Sequence, residues 1–125
     1  MRTNKSSRLI VLVDDDEINM FICKKLLKIF DPDIETMEFL DSTTALEFVK
    51  SNNSKISLLL LDLNMPKLNG WQFLDKITME DIGSDVVILS SSIDPNDFQK
   101  AKKEGKVKDY WSKPLTIDML TKYFA

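Results

Sequence analysis

Residues 58–70 read Leu-Leu-Leu-Leu-Asp-Leu-Asn-Met-Pro-Lys-Leu-Asn-Gly. A short apolar run that closes on a single acid, here Asp62, is typical of a buried parallel strand that ends at a functional edge of the sheet. A second apolar run, Leu9–Val13, ends in the same way at Asp14, Asp15 and Asp16. Two buried strands that bring carboxylates to one edge predict a site for a divalent cation and a phosphoryl group.

Apolar runs alternate with helical patterns along the whole chain. The predicted strands cover residues 8–13, 34–39, 56–61, 86–89 and 107–111, and the predicted helices cover 17–30, 42–52, 70–78, 94–104 and 116–124. Strands that alternate with helices predict a parallel sheet covered on both faces, because right-handed crossovers place the helices there. The expected fold class is α/β: a flavodoxin-like, doubly wound sheet of five parallel strands in the order 2-1-3-4-5, with five helices.

Capping residues and apolar stripes refine this outline. Asp16 and Asp94 are suited to cap the first and fourth helices. The first helix carries one apolar stripe with two aromatic residues beside it: Ile18, Ile22, Leu26 and Ile29, with Phe21 and Phe30. The stripe predicts the buried side of that helix. Further packing residues are expected at Trp71, Phe98, Trp111 and Met119.

The bulk composition excludes several classes of function. With 125 residues the chain is expected to form a single domain, residues 1–125, with a flexible N-terminus at residues 1–7. A net charge of -3 argues against nucleic-acid binding, and no apolar run is long enough to cross a membrane. The chain has no histidine that could act as a ligand or base, and its one cysteine, Cys23, has no disulfide partner within the chain. We expect a cytoplasmic protein.

The carboxyl ends of the strands are predicted to form the site. In an open α/β sheet, ligands bind beyond these ends where the strand order reverses, and that edge collects Asp14, Asp15, Asp62, Ser90 and Lys113. Carboxylates without histidine or cysteine suit a hard cation, Mg²⁺ or Mn²⁺. A cation and an ammonium group beside a carboxylate form a clamp for a phosphoryl group, with Asp62 as the nucleophile.

These motifs resemble those of a response regulator receiver domain of two-component signal transduction, of the CheY-like, stand-alone type. The resemblance covers essentially the whole chain. It rests on Val13-Asp14-Asp15, on Asp62 with Met65-Pro66 and Gly70, on Ser90, on Tyr110 and on Lys113-Pro114. Each of these short motifs alone is weak evidence for the family. Their occurrence in the family's order, on five strand–helix units, is a specific signal.

The resemblance implies a phosphoacceptor protein. A histidine kinase or a histidine phosphotransfer protein would donate a phosphoryl group to Asp62, beside Lys113. Mg²⁺ would be held by Asp14, Asp15, Asp62 and the backbone carbonyl of Asn64. The activity implied is regulatory rather than enzymatic, limited to self-phosphorylation from small donors and self-dephosphorylation.

The resemblance also implies a conformational switch. Ser90 would move toward the phosphoryl group and Tyr110 would turn inward, which changes a surface built from the fourth helix, the fifth strand and the fifth helix. Asn64 and Ser92 occupy positions that tune dephosphorylation in the family. Structural roles at the site are expected for Pro66, Gly70 and Pro114, the last through a cis peptide bond after Lys113.

The partners implied are a kinase or phosphotransfer protein and a downstream protein target that the sequence does not identify. A bacterial protein that docks onto its target, or that relays the phosphoryl group, is expected, as a monomer or as a phosphorylation-dependent dimer. No nucleic acid or membrane is expected to take part.

Two other functions fit parts of the pattern. A haloacid-dehalogenase-like phosphatase would use Asp14 as its nucleophile, although the chain is short for that fold and a late acid pair is missing. A receiver-like binding module that is not phosphorylated is disfavoured, because such relatives usually lose an acid or the lysine and this chain keeps them all.

Overall fold

The structure, a computed structural model, describes residues 8–78, 81 and 83–125. The strands are β1 Leu9–Val13, β2 Glu35–Phe39, β3 Leu58–Leu61, β4 Asp85–Ser90 and β5 Val107–Ser112, and the helices are α1 Glu17–Phe30, α2 Ser42–Asn52, α3 Gly70–Asp75, α4 Pro95–Lys103 and α5 Ile117–Tyr123. A 3₁₀ turn, Asn53–Lys55, joins α2 to β3 and was not predicted. Residues 1–7, for which flexibility is predicted, lie outside the described part of the chain.

The strands form one parallel sheet in the order β2-β1-β3-β4-β5, which confirms the predicted topology. The register pairs Val13 at the end of β1 with Leu61 at the end of β3. The backbone N–H of Asp62 then donates to the carbonyl of Val13 over 2.9 Å. The residues that follow these two strands, Asp14 and Asp62, are therefore neighbours at the same edge.

The hydrophobic core lies in two layers, one on each face of the sheet. The leucines of β3 alternate between the layers, as side chains of a strand must. Leu58 and Leu60 pack with residues of α1 and α5, whereas Leu59 and Leu61 pack with residues of α2 and α3. All four are buried because the strand is central and both of its faces are covered.

The prediction of which side of α1 is buried is wrong. Ile18 and Ile29 are 73% and 71% exposed, and the buried residues of the helix are Met20, Cys23 and Leu27. Apolar residues occur on more than one side of this helix, so the 3.6-residue period does not by itself identify the inner side. The result is an exposed apolar surface on α1, formed by Ile18, Phe21, Ile22 and Ile29.

Two further predictions need correction. The helix predicted over 70–78 ends at Asp75, and the chain then turns at Thr78, whose backbone N–H donates to the Asp81 carboxylate over 3.1 Å. Phe98, predicted to lie in the core, is 44% exposed because α4 packs beside the edge strand β5. Among the described residues, no helix is long and apolar enough to cross a membrane.

Candidate functional site

The acids that follow β1 and β3 converge. Carboxylate oxygens of Asp14, Asp15 and Asp62 lie within 4.8 Å of one another. Consecutive residues point to opposite faces within a strand, but β1 ends at Val13, so the chain has left the strand at Asp14 and both acids reach the same point. Asp14 and Asp62 are buried and Asp15 is exposed, which gives the cluster one side open to solvent.

Lys113 reaches the same cluster from the end of β5. Its Nζ lies 2.8 Å from Oδ2 of Asp14 and 3.5 Å from Oδ2 of Asp62. The backbone N–H of Lys113 donates to the carbonyl of Ser90 over 2.9 Å, which ties the ends of β4 and β5 together. The peptide bond between Lys113 and Pro114 is cis. The ammonium group is thus shared by the two buried carboxylates.

The surroundings of Asp62 disfavour its charged form. Burial, and then the nearby charge of Asp14, raise the pKa of Asp62 to about 6, against the opposing effects of Lys113 and of the backbone N–H groups of Leu63 and Asn64. The Leu63 N–H donates to Oδ1 of Asp62 over 2.8 Å. Burial alone lowers the pKa of Lys113, but its hydrogen bond to Asp14 and the charges of both carboxylates outweigh burial, so that the pKa is raised. Added positive charge is therefore favourable at this site.

Asn19 is a site residue that the sequence reasoning missed. Its Nδ2 donates to Oδ2 of Asp14 over 2.6 Å, while Oδ1 of Asp14 accepts from the backbone N–H of Asp16 over 2.9 Å. Asp16 itself caps α1, as predicted, through the N–H groups of Ile18 and Asn19. Asn19 could have been found from its place in the first turn of α1, three residues after Asp16. These bonds fix the direction of the Asp14 carboxylate.

The loop after Asp62 is closed by Gly70. A Cβ atom at Gly70 would lie 2.6 Å from the carbonyl oxygen of Asp62, so no other residue fits without a shift of the backbone. The Gly70 N–H donates to the carbonyl of Leu63 over 2.9 Å. Asn69 and Gln72 then start α3 with reciprocal capping hydrogen bonds. Pro66 is exposed at the outer turn of the loop.

The residues predicted to switch lie on the β4–β5 side of the site. Ser90, the last residue of β4, is fully buried, and its Oγ accepts a hydrogen bond of 3.0 Å from the backbone N–H of Ser92. Tyr110 is half-buried and packs edge-on against Phe98, with 5.7 Å between the ring centroids. A groove of about 300 Å³ runs between α4 and β5 beside these two rings. Inward movement of Tyr110 remains a prediction.

The donor set fits a hard divalent cation. Three carboxylates supply oxygen ligands at one point, one side of the cluster faces solvent, and the chain contains no histidine. These are the properties of sites that hold Mg²⁺ or Mn²⁺ together with several water molecules. The side chain of Asn64 is exposed beside the cluster, and ligation through its backbone carbonyl remains a prediction.

The family model described as the response regulator receiver domain matches residues 10–125. The chain belongs to the response regulator receiver family. This receiver domain is 32% identical over 111 residues to the two-component response regulator ARR10 of Arabidopsis thaliana, which covers 89% of this chain and 19% of the plant protein. It is also 32% identical over 104 residues to the nitrate/nitrite response regulator NarL of Escherichia coli K12, covering 82% of this chain and 47% of that protein.

Solved receiver structures share the fold. A two-component response regulator from Cytophaga hutchinsonii superimposes with a TM-score of 0.83 and 29% identity, covering 94% of this chain and 93% of that one. The receiver domain described here spans less than half the length of both curated relatives. Those relatives come from a plant and a bacterium, so the bacterial source expected from the resemblance remains a prediction.

Proposed function

We propose that Asp62 accepts a phosphoryl group from a histidine kinase or a histidine phosphotransfer protein, and that Mg²⁺ assists. One observation carries the proposal: a buried carboxylate lies close to a lysine ammonium and to two further acids, at the edge where the strand order reverses. The proposal agrees with the family of the chain, whose members act in two-component systems.

The transfer is a displacement at phosphorus. An Asp62 oxygen attacks, and an oxygen–phosphorus bond forms as the bond from phosphorus to the donor nitrogen breaks. The electron pair of the broken bond stays on that nitrogen, so a donor imidazole that is protonated on its other nitrogen leaves as the neutral ring. Lys113, 3.5 Å from the Asp62 carboxylate, is placed to neutralise charge on the transferred group. Mg²⁺, when held by Asp14, Asp15 and Asp62, supplies further positive charge to the phosphoryl oxygens.

The surface beside the site supports a protein as donor. Ile18 and Phe21 lie in the first two turns of α1, directly after the acid run, and are 73% and 61% exposed. The Lys25 ammonium lies 5.6 Å from the centre of the Phe21 ring. Exposed apolar side chains that are grouped together are typical of surfaces that bind other proteins. A partner that reaches Asp62 passes over the start of α1.

The response is proposed to take place at α4, β5 and α5. The phosphoryl group draws the hydroxyl of Ser90 toward Asp62 and Tyr110 turns inward, which shifts the population of two surface conformations. Asn64 and Ser92 then tune the loss of the phosphoryl group. The downstream partner is a protein reached by docking or by phosphoryl relay, from a cytoplasmic receiver that is a monomer or a phosphorylation-dependent dimer.

Intact-mass measurement tests the proposal. The protein is incubated with phosphoramidate, with and without Mg²⁺, beside the variants Asp62→Asn, Asp14→Asn and Asp16→Asn. We expect one phosphoryl adduct on the wild type that requires Mg²⁺ and is absent from Asp62→Asn. Asp16→Asn should keep the adduct, because asparagine also caps helices. An adduct that survives in Asp62→Asn and is lost in Asp14→Asn would support the phosphatase alternative, and no adduct at all would support the binding module.

A further inference from the structure

A chain of hydrogen bonds joins the buried Ser90 to α3 and α4. The hydroxyl of Ser92 donates to Oδ2 of Asp97 over 2.6 Å, and the indole N–H of Trp71 donates to Oδ1 of the same carboxylate over 3.1 Å. Ser92 also donates its backbone N–H to Oγ of Ser90 over 3.0 Å. Asp97 thus links the first turn of α3, the first turn of α4 and the segment that follows β4.

The helix α4 buries little apolar surface. All nine residues of α4 are described, and only Ala101 is buried. Other contacts of the helix involve exposed side chains of α4 and half-buried rings: the Phe98 ring lies edge-on against Tyr110, and the Lys100 ammonium lies 4.8 Å from the centre of the Trp71 ring. A helix with so little buried apolar surface belongs to the less stable parts of a protein. Asp97 makes two polar contacts that tie this helix to its surroundings, one with Trp71 of α3 and one with Ser92 in the segment between β4 and α4.

The same hydrogen bonds also help to position the hydroxyl of Ser90. In the conformation seen here, Ser90 Oγ is the acceptor for the Ser92 N–H, and Ser92 is in turn held by Asp97. A phosphoryl group on Asp62 draws Ser90 Oγ toward itself by accepting from its O–H, while the same oxygen still accepts from the Ser92 N–H. Movement of Ser90 toward the phosphoryl group therefore requires the Ser90–Ser92 segment to leave its present place, or the bond from Ser92 to break.

We infer that Asp97 is a positioning residue for Ser90, acting through Ser92, and that the Trp71–Asp97–Ser92 bonds hold α4 in the unphosphorylated conformation. The inference rests on the proposed function, because it concerns how Ser90 answers a phosphoryl group on Asp62. By linkage, whatever favours this conformation lowers the affinity of the site for a phosphoryl group, and a bound phosphoryl group weakens the Trp71–Asp97 contact to the same extent.

The affinity for beryllofluoride, a mimic of the phosphoryl group, tests this inference. Its dissociation constant is measured by NMR titration in Mg²⁺ for the wild type and for Asp97→Ala, Trp71→Phe and the double variant. We expect Asp97→Ala to bind beryllofluoride about three- to ten-fold more tightly, since hydrogen bonds that oppose binding are lost. Trp71→Phe, which removes the indole N–H donor and one ring but leaves the bond from Ser92 to Asp97 in place, should shift the affinity in the same direction by less. The double variant should match Asp97→Ala alone, because both changes break the same link.

A matched control and a spectroscopic signal separate positioning from general destabilisation. Asp118 also lies in the first turn of a helix, but it is 79% exposed and pairs only with Lys122 among the described residues, so Asp118→Ala should leave the affinity unchanged. In the wild type, beryllofluoride should shift the indole N–H signal of Trp71 and speed its exchange with water. Unchanged or weaker binding by folded Asp97→Ala and Trp71→Phe would overturn the inference while the proposed function stands. A wild type that takes up neither beryllofluoride nor a phosphoryl group would overturn both.

Discussion

The edge of the sheet that carries the site has two halves, one at the ends of β1 and β3 and the other at the end of β4, and they are built differently. At the ends of β1 and β3, buried charges are fixed from several directions: Asp14 is bonded by Lys113, Asn19 and the backbone of Asp16, and Gly70 closes against Asp62. At the end of β4, a single buried hydroxyl is followed by an exposed helix. The first half has little freedom to move, whereas the second is held by a few hydrogen bonds.

This difference suits a phosphorylation switch. A reacting carboxylate must be held in place before the transfer, because charged groups stabilise the transition state best when they are already positioned around it. The part that changes conformation on phosphorylation must have a second conformation of similar free energy. Such parts come from the less stable regions of a protein. The fixed acidic half and the lightly held α4 half should therefore respond differently to substitution, to pH and to a phosphoryl group.

The largest effect is expected from added volume in the fixed half. Gly70→Ala places a methyl group 2.6 Å from the Asp62 carbonyl oxygen, and should lower the free energy of unfolding by about 2–3 kcal/mol. Gly105→Ala is the matched control, since no described atom lies within 4 Å of its Cβ position, and a small change of either sign is expected there. Denaturant unfolding of both variants gives the comparison. Equal losses in the two would show that the loop is not closely packed on Asp62.

Removal of the Asp62 charge should stabilise the metal-free protein at neutral pH. Burial and Asp14 raise the pKa of Asp62 from 3.8 to about 6, so the folded state keeps this proton over a pH range where the unfolded state has lost it. The stability from Asp62 is therefore complete below about pH 4 and is lost as the pH rises through about 6. Asp62→Asn does not titrate, and at pH 7.5 without divalent cations it should raise the free energy of unfolding by about 1–2 kcal/mol.

The pH dependence of this gain is the check. The advantage of Asp62→Asn over the wild type should shrink as the pH falls from 7.5 toward about 4, and Mg²⁺ should stabilise the wild type but not the variant. Asp118→Asn, at an acid that is 79% exposed, should show no pH-dependent gain in stability and should be stabilised by Mg²⁺ as the wild type is. An Asp62→Asn protein less stable than the wild type at pH 7.5 would contradict the electrostatic description of the site.

The exposed apolar surface of α1 should affect the rate of phosphoryl transfer from a protein donor but not from a small-molecule donor. Replacing both Ile18 and Phe21 with serine is expected to slow transfer from a histidine phosphotransfer partner about five- to ten-fold, because apolar contact area is lost from the complex. Phosphorylation by phosphoramidate should stay unchanged, since Asp62 is untouched. Ile93→Ser, at a residue 97% exposed on the other side of the site, is the matched control. Equal slowing with both donors would place the defect at the site rather than at the surface.

The smallest effect is expected at two tyrosine hydroxyl groups. The Tyr110 hydroxyl is buried and has no hydrogen-bond partner among the described residues, whereas the Tyr123 hydroxyl donates to the Asp85 carboxylate. Tyr110→Phe should therefore leave the free energy of unfolding unchanged or raise it by up to about 1 kcal/mol, and Tyr123→Phe should lower it by about 1 kcal/mol. Thermal unfolding of the pair measures both. A Tyr110→Phe variant as destabilised as Tyr123→Phe would show that the Tyr110 hydroxyl is bonded after all.

Sequence reasoning predicted the features that follow from backbone geometry. The leucines of β3 and the acids at two strand ends determine which residues meet, because parallel strands end at one edge. The buried side of α1 was predicted wrongly, since apolar residues such as Ile18 and Met20 occur on both of its sides. Phe98 was predicted to lie in the core, but its helix lies beside an edge strand.

Contacts between side chains on different elements were out of reach of such reasoning. Trp71 and Asp97 are 26 residues apart, and their hydrogen bond depends on how α3 and α4 pack. Neither residue belongs to a recognisable motif. Asn19 was closer to prediction, because it follows the acid run within one turn of helix.

Amide hydrogen exchange, followed by mass spectrometry on the protein with and without a phosphoryl group on Asp62, tests the contrast between the two halves most directly. We expect faster exchange over residues 92–104, which contain Ser92, Asp97 and α4, and unchanged exchange in β1 and β3. Exchange that stays the same around α4, or that changes mainly in β1 and β3, in a sample whose mass shows the adduct, would contradict this expectation.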